Sequence, residues 1–323
     1  MLFLTKRITM YHPYLRGKQN ELILLRENAK LITKSAMVPI IEPVKKNFAP
    51  LNKAIESLKK ENTEFILVIN PKYGDFKSNS LPIFENTINT ILREYDKYSI
   101  AYIVDAESNL LEVKDFIDDN LDKSIVIIHN GYPKAKELAE LTESFSNINK
   151  HIFMDAQSGK LYQKQFKKNG IPRILIRDGF KKNKNRDYPH KEHFSDLHIT
   201  YDDEGMEGFG DFLIVGDDYS ESGGPAYAIA LHLTYLEEDE DMYIRHFVSD
   251  RVDTPTDPAG KFLEALEKLV NAVEEEDSLI LKTEAYQQFK NFFEEAHFPG
   301  LGYAKKLSMQ HHLELISKYL LEQ

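Results

Sequence analysis

The sequence predicts an α/β fold: a (βα)8, TIM-barrel-like domain over residues 1–217, with an added β-hairpin and C-terminal helices over 218–323. Two observations carry this. Short runs rich in β-branched and aromatic residues alternate with helical stretches, their centres roughly 22 to 39 residues apart, the spacing of a strand, a helix and two short loops. The middle runs are apolar on both faces, as strands covered on both sides must be.

In order, the strand candidates are YHPYLRG (11–17), MVPIIEP (37–43), EFILVIN (64–70), IAYIVDA (100–106), SIVIIHN (124–130), HIFMDA (151–156), RILIRDG (173–179) and DFLIVGD (211–217). After the first, KQNELILLRENAKLI sets Leu22, Leu25, Ala29 and Ile32 on one helical face. LPIFENTINTILREY does the same with Ile83, Ile88, Ile91 and Leu92. An open doubly wound sheet accounts for the first five or six units equally well; eight is the count a TIM barrel requires, and the pattern alone does not prove closure. Past residue 217 the rhythm changes. SESGGPAYAIALHLTY and MYIRHFVSD flank an acidic EEDED turn as a hairpin. Asp257 is placed to cap a helix whose first residue is Pro258, and two more helices are expected at 281–296 and 304–322. His232 and His246 fall in opposing hairpin strands as packing neighbours. Of His311 and His312, one is expected in the core and the other in solvent.

Composition limits the function. The net charge of −11 argues against a protein that wraps nucleic acid with its whole surface, though a local basic loop remains compatible. With no Cys, disulfides, thiolate zinc sites and a cysteine nucleophile are excluded. MLFLTKRITM is too polar for a signal peptide, and no run approaches the roughly 18 apolar residues of a membrane span, so a cytoplasmic protein without membrane contact is expected.

In a barrel the loops after the strands build the site. The strand ends supply Arg16, Lys18, Glu42, Asn70, Lys72, Asp105, His129, Asp155, Arg177, Asp178, Asp217 and Asp218. Asp and Asn there can simply cap the next helix, but Glu caps poorly, and Glu42 stands between Ile41 and Pro43. Its structural role would be an ion pair with Arg16 or Lys18. The sharper expectation is a polar mouth: Glu42, Asp105 and Asp155 as ligands of Mg or Mn, His129 and Asp155 as catalytic groups, and Arg16, Lys18, Lys72 and Arg177 on a phosphate. The loop FKKNKNRDYPHK (180–191) offers Lys181, Lys182, Lys184 and Arg186 as a further phosphate site or as a solvated surface.

YHPYLRGKQNEL followed by VPIIEPV resembles the opening of the bacterial and phage beta-protein family: a Tyr-x-Pro strand, a Lys before a helix carrying Glu, then a Pro-x-x-Glu strand. The later blocks GFGDFLIVGDDYSESGGPAYAIALHLTY, HFVSD and HFPGLG resemble a poorly characterised bacterial branch of it. The resemblance implies a barrel-like α/β fold, marks Lys18, Glu21 and Glu42 as the opening polar set, and makes residues 1–9 an upstream-start extension before Met10. It associates the chain with mobile elements and phage-defence neighbourhoods. The expected function is a cytoplasmic accessory or sensor protein that recognises a phosphorylated ligand, a nucleic-acid end or a phage protein, beside a protein partner encoded nearby. The alternative is a metal-dependent phosphodiesterase or hydrolase using the polar mouth.

Overall fold

The computed structural model describes residues 10–77, 79–167, 170–221 and 223–323; the expected extension, residues 1–9, lies outside them. The chain divides into two compact units. A barrel unit runs to Lys18 and resumes over Leu25–Arg177 and Thr200–Asp211. A C-terminal unit holds Gln19–Leu24, Asp178–Ile199 and Phe212–Gln323.

The barrel's first strand is two short pieces, β1 (Met10–Tyr11) and β2 (Tyr14–Leu15), either side of His12 and Pro13. Pro13 has no N–H, and the register needs none. His12 and Tyr14 donate to the carbonyls of Phe209 and Asp211 on one side. The carbonyls of Tyr11, Pro13 and Leu15 accept from Val38, Ile40 and Glu42 on the other. The chain continues through α1 (Gln19–Lys34), β3 (Ile40–Ile41), α2 (Phe48–Lys60) and β4 (Phe65–Val68). A short α3 (Leu81–Ile83) widens into a π turn over Phe84–Ile88. Then come β5 (Tyr98–Asp105), α4 (Leu110–Asp118), β6 (Ile125–Asn130), α5 (Ala135–Glu143), β7 (Ile148–Met154), α6 (Lys160–Lys164) and β8 (Arg173–Ile176).

After β9 (Lys191–Ser195) and α7 (Leu197–Thr200), β10 (Gly208–Gly210) pairs with both β8 and β1. Every pairing in this sheet is parallel, so with β1 and β2 counted as one strand it is an eight-stranded barrel whose strand C-termini share one end. The core is apolar: Phe65, Ile66, Leu67, Val68 and Ile125 to Ile128 are all fully buried. On α1, Leu22, Leu25, Ala29 and Ile32 are buried, as their spacing requires.

The eighth strand lies earlier than expected, at 208–210 rather than 211–217. Gly210 has the reason: a Cβ there would stand 2.1 Å from the carbonyl oxygen of His12, so only glycine lets the first strand approach. The apolar run that mimicked the strand is a buried turn instead, with Leu213 and Gly216 at positive φ (52° and 75°).

In the C-terminal unit the expected hairpin is β11 (Ala230–Leu236) with β12 (Met242–Val248), and β9 adds a third antiparallel strand in the order β11-β12-β9. Leu231, Leu233 and Tyr235 alternate onto one face and pack with Phe247, Phe262, Leu266, Tyr286 and Phe289. Three helices follow: α8 (Pro258–Glu274), α9 (Glu284–Glu294) and α10 (Leu301–Glu322). Asp257 caps α8 by accepting from Gly260 N at 2.9 Å. His311 and His312 are both fully buried, correcting the expectation that one meets solvent. Each ring has polar partners inside: His311 binds Thr283 Oγ1 (2.8 Å) and the Thr234 carbonyl (2.8 Å), and His312 binds Thr234 Oγ1 (2.9 Å). Among the described residues, no helix is long and apolar enough to cross a membrane.

Candidate functional site

Because all barrel strands run one way, their terminal charges meet at one rim, and they meet as pairs. Glu42, at the end of β3, is 1% exposed and has Arg16 Nε 3.7 Å away. Tyr14 OH donates to its Oε2 at 2.9 Å and the Lys72 backbone N–H to its Oε1 at 2.7 Å. A buried carboxylate needs this: one counter-charge and hydrogen bonds to its remaining lone pairs. The Arg16 guanidinium also lies over the Tyr73 ring, 5.0 Å from its centroid. Lys18, just before α1, is half-buried.

Lys72 reaches the next carboxylate with its side chain. Its Nζ is 2.6 Å from Asp105 Oδ2, at the end of β5. Burial alone would raise the Asp105 pKa, but hydrogen bonds from Lys72 and Ser108 and the lysine charge outweigh it and hold the carboxyl below its usual range. Asn70 doubles a strand edge, accepting from Ile103 N (2.8 Å) and donating to Ile103 O (2.9 Å). Gly74 lets this loop turn: its φ is +72°, and a Cβ would lie 2.1 Å from the Val44 carbonyl. Arg16, Glu42, Lys72 and Asp105 thus form one chain of contacts across neighbouring strands.

A second chain starts at β7. Arg177 Nε is 2.6 Å from Asp155 Oδ2, and its Nη2 is 3.3 Å from Glu204, which also holds Lys160 at 2.8 Å. The hydrogen bond from Lys160, together with Arg177, depresses the Glu204 pKa. The expected convergence of Glu42, Asp105 and Asp155 on a Mg or Mn ion is therefore corrected. Each carboxylate is turned to a different cation, and among the described residues no three His, Asp or Glu gather into a group that could hold a metal.

His129 is corrected as well. It is fully buried in an aromatic cluster, stacked on Phe153 at 4.5 Å and beside Phe166 at 4.4 Å. Both ring nitrogens are occupied, Nδ1 with Tyr162 OH (2.8 Å) and Nε2 with His151 Nδ1 (3.0 Å). Burial, and secondarily His151, pushes its pKa well below the usual value, so it is a neutral core residue without access to a substrate.

Beside the first chain of pairs opens a cleft of about 720 Å³, lined among others by Lys72, Tyr73, Lys77, Tyr102, Asn130 and Gln157. Asp105 lines it too; Arg16, Glu42, His129, Asp155 and Arg177 do not. Lys77, Asn130 and Gln157 were not singled out from sequence, although Asn130 directly follows His129 and takes the strand-end position assigned to it. Asp211 was also missed, because the eighth strand was set too late. It accepts from the buried Tyr11 hydroxyl at 2.7 Å, and burial, then this carboxylate, raises the Tyr11 pKa.

Lys181 and Lys182 belong to the C-terminal unit, where each meets an acid: Lys181 with Glu192 at 3.5 Å and Lys182 with Asp218 at 2.9 Å. Glu192 also accepts from His246 Nε2 (3.0 Å), whose Nδ1 lies 2.7 Å from His232 Nδ1. A carboxylate can only accept, so His246 carries its proton on Nε2 and His232 donates through Nδ1. No family model matches the chain, and no curated protein matches it.

Proposed function

We propose that the barrel is a binding module that holds a small polar ligand with one anionic group, such as a phosphate, in the cleft at its mouth. One observation carries this reading. The carboxylates that would make a metal-dependent hydrolase are already spent on cations, while the amides of Asn130 and Gln157 and the ammonium of Lys77 line the cleft with no hydrogen-bond or ion-pair partner among the described residues. Lys72, with one proton on Asp105, keeps two donors for an anion, and Lys77 supplies a second cation. Tyr73 and Tyr102 give the cleft flat walls, and its volume lies within the roughly 300–1,000 Å³ of small-molecule sites. The residues do not fit a divalent cation.

In the cell such a module is an accessory or sensor protein. Its placement in the cytoplasm, among phage-defence or mobile-element genes and beside a protein partner, rests on the likeness of YHPYLRGKQNEL and VPIIEPV to the beta-protein family. Equilibrium dialysis against a mixture of nucleotides, sugar phosphates and organic acids, read by mass spectrometry, tests the binding. Native protein is expected to retain an anionic compound that Lys72→Met does not. Retention of nothing by the native chain, or equal retention by both, overturns the reading.

A further inference from the structure

The C-terminal unit has a pocket of its own, of about 700 Å³, lined among others by Lys184, Arg186, Pro225, Tyr227, Leu301 and Lys305. Three cations line it and, among the described residues, no carboxylate does. In a chain with 52 acidic and 41 basic residues, that is a local reversal of charge. The mouth cleft of the barrel is different, for there Lys72 and Lys77 share the lining with Asp105, Glu107 and Glu112.

The loop that supplies Lys184 and Arg186 separates its cations by partner. Lys181 and Lys182 are tied to Glu192 and Asp218. Lys184 is exposed and has no ion pair among the described residues, and Arg186 has only an exposed, 3.7 Å contact with its sequence neighbour Asp187, a kind of pair that holds weakly. Lys305 adds a third charge from the first turns of α10. Like charges gathered in one pocket repel one another, and an anion among them lessens that repulsion.

The walls are fixed independently of any ligand. Lys261, 1% exposed, donates its ammonium protons to the carbonyls of Ala226 (3.1 Å), Tyr227 (2.8 Å) and Thr254. Asn185 Nδ2 ties the basic loop to the Ala228 carbonyl at 2.8 Å. On this rigid wall two large apolar side chains stay exposed, Tyr227 at 47% and Leu301 at 42%.

We propose that this pocket binds a terminal phosphate carried by an aromatic base, with the phosphate on Lys184, Arg186 and Lys305 and the base against Tyr227. A free mononucleotide and a 5′-phosphorylated nucleic-acid end share that chemistry. The site shares no residue with the barrel cleft, so either can fail without the other.

The test is a titration of the full-length chain at low salt with AMP, with a short 5′-phosphorylated oligothymidine and with its 5′-hydroxyl counterpart. The phosphorylated probes are expected to bind saturably, and Lys184→Ser/Arg186→Ser to weaken them about ten-fold or more by loss of charge-assisted contacts. Lys181→Ser/Lys182→Ser, which removes two already paired cations of the same loop, is expected to leave affinity nearly unchanged. Tighter binding of the oligonucleotide than of AMP identifies a nucleic-acid end as the source, and the reverse a free nucleotide. Absence of saturable binding, equal affinity for the 5′-hydroxyl oligonucleotide, or an equal loss in Lys181→Ser/Lys182→Ser overturns the proposal.

Discussion

The barrel mouth and the C-terminal unit handle buried and half-buried cations in opposite ways. At the mouth, Arg16, Lys72 and Arg177 each stand against a carboxylate from another strand end: Glu42, Asp105 and Asp155. In the C-terminal unit, Lys261 places its ammonium on three backbone carbonyls instead. The difference teaches what each arrangement fixes. Paired charges lock side chains of adjacent strands and become scaffold. A carbonyl-caged lysine fixes loop backbone and consumes no acid.

The largest effects come from breaking either arrangement at its centre. Glu42→Gln removes the counter-charge of the buried Arg16 and is expected to cost about 3 kcal/mol in urea unfolding. Lys261→Met strands three carbonyls and is expected to cost about the same, with loss of order in the loop bearing Tyr227 visible by hydrogen exchange. If Lys261→Met is neutral, the carbonyl cage is not what holds that wall.

Acid sharpens the comparison further. Burial is the first cause that lowers the pKa values of His151 to about 3 and of His311 to about 4, and it lowers those of His129 and His232 well below 6.5. These rings stay neutral in the folded chain and take up protons in the unfolded one, so the unfolded state binds more protons below pH 6.5. Stability is therefore constant above that value and falls as pH drops toward 4, by up to about 1.4 kcal/mol per pH unit for each histidine. His151→Gln or His311→Gln should flatten the slope; an unchanged slope removes that residue from the account.

Smaller effects separate a hydrogen bond at the mouth from an ion pair of the C-terminal unit. Tyr14→Phe deletes one hydrogen bond to Glu42 and is expected to cost about 1 kcal/mol, clearly less than Glu42→Gln. Lys182→Ser removes an exposed pair with Asp218 and is expected to cost less than about 1 kcal/mol. A Lys182 effect as large as that of Tyr14 would show that the basic loop is held by its ion pairs.

The barrel was legible in the sequence because strands covered on both sides carry apolar residues on both faces, as FILVI does in EFILVIN and IVII in SIVIIHN, and because βα spacing recurs. Its eighth strand was not. Gly208-Phe209-Gly210 has little β propensity, and a local pattern prefers DFLIVGD, but the narrow approach to His12 admits only the glycine segment. The strand-end charges were legible as a set, and Glu42 with Arg16 as a pair. What a linear sequence does not contain is which way each carboxylate turns. Glu42, Asp105 and Asp155 fit three metal ligands or three ion pairs equally well until Lys72 and Arg177 are seen beside them. His129 misled for a related reason: adjacent strand residues face opposite sides, so the mouth belongs to Asn130 and the core to His129.

The central claim is that the mouth carboxylates are partners of cations and part of the scaffold. Thermal melting of the native chain and of Asp155→Asn, each across a Mn²⁺ titration, tests it most directly. The account predicts that Asp155→Asn melts lower than the native chain by the same margin with and without Mn²⁺, because Arg177 has lost its ion pair with Asp155 in both cases. A saturable rise in the native melting temperature with Mn²⁺ that disappears in Asp155→Asn would contradict it and return these carboxylates to the role of metal ligands.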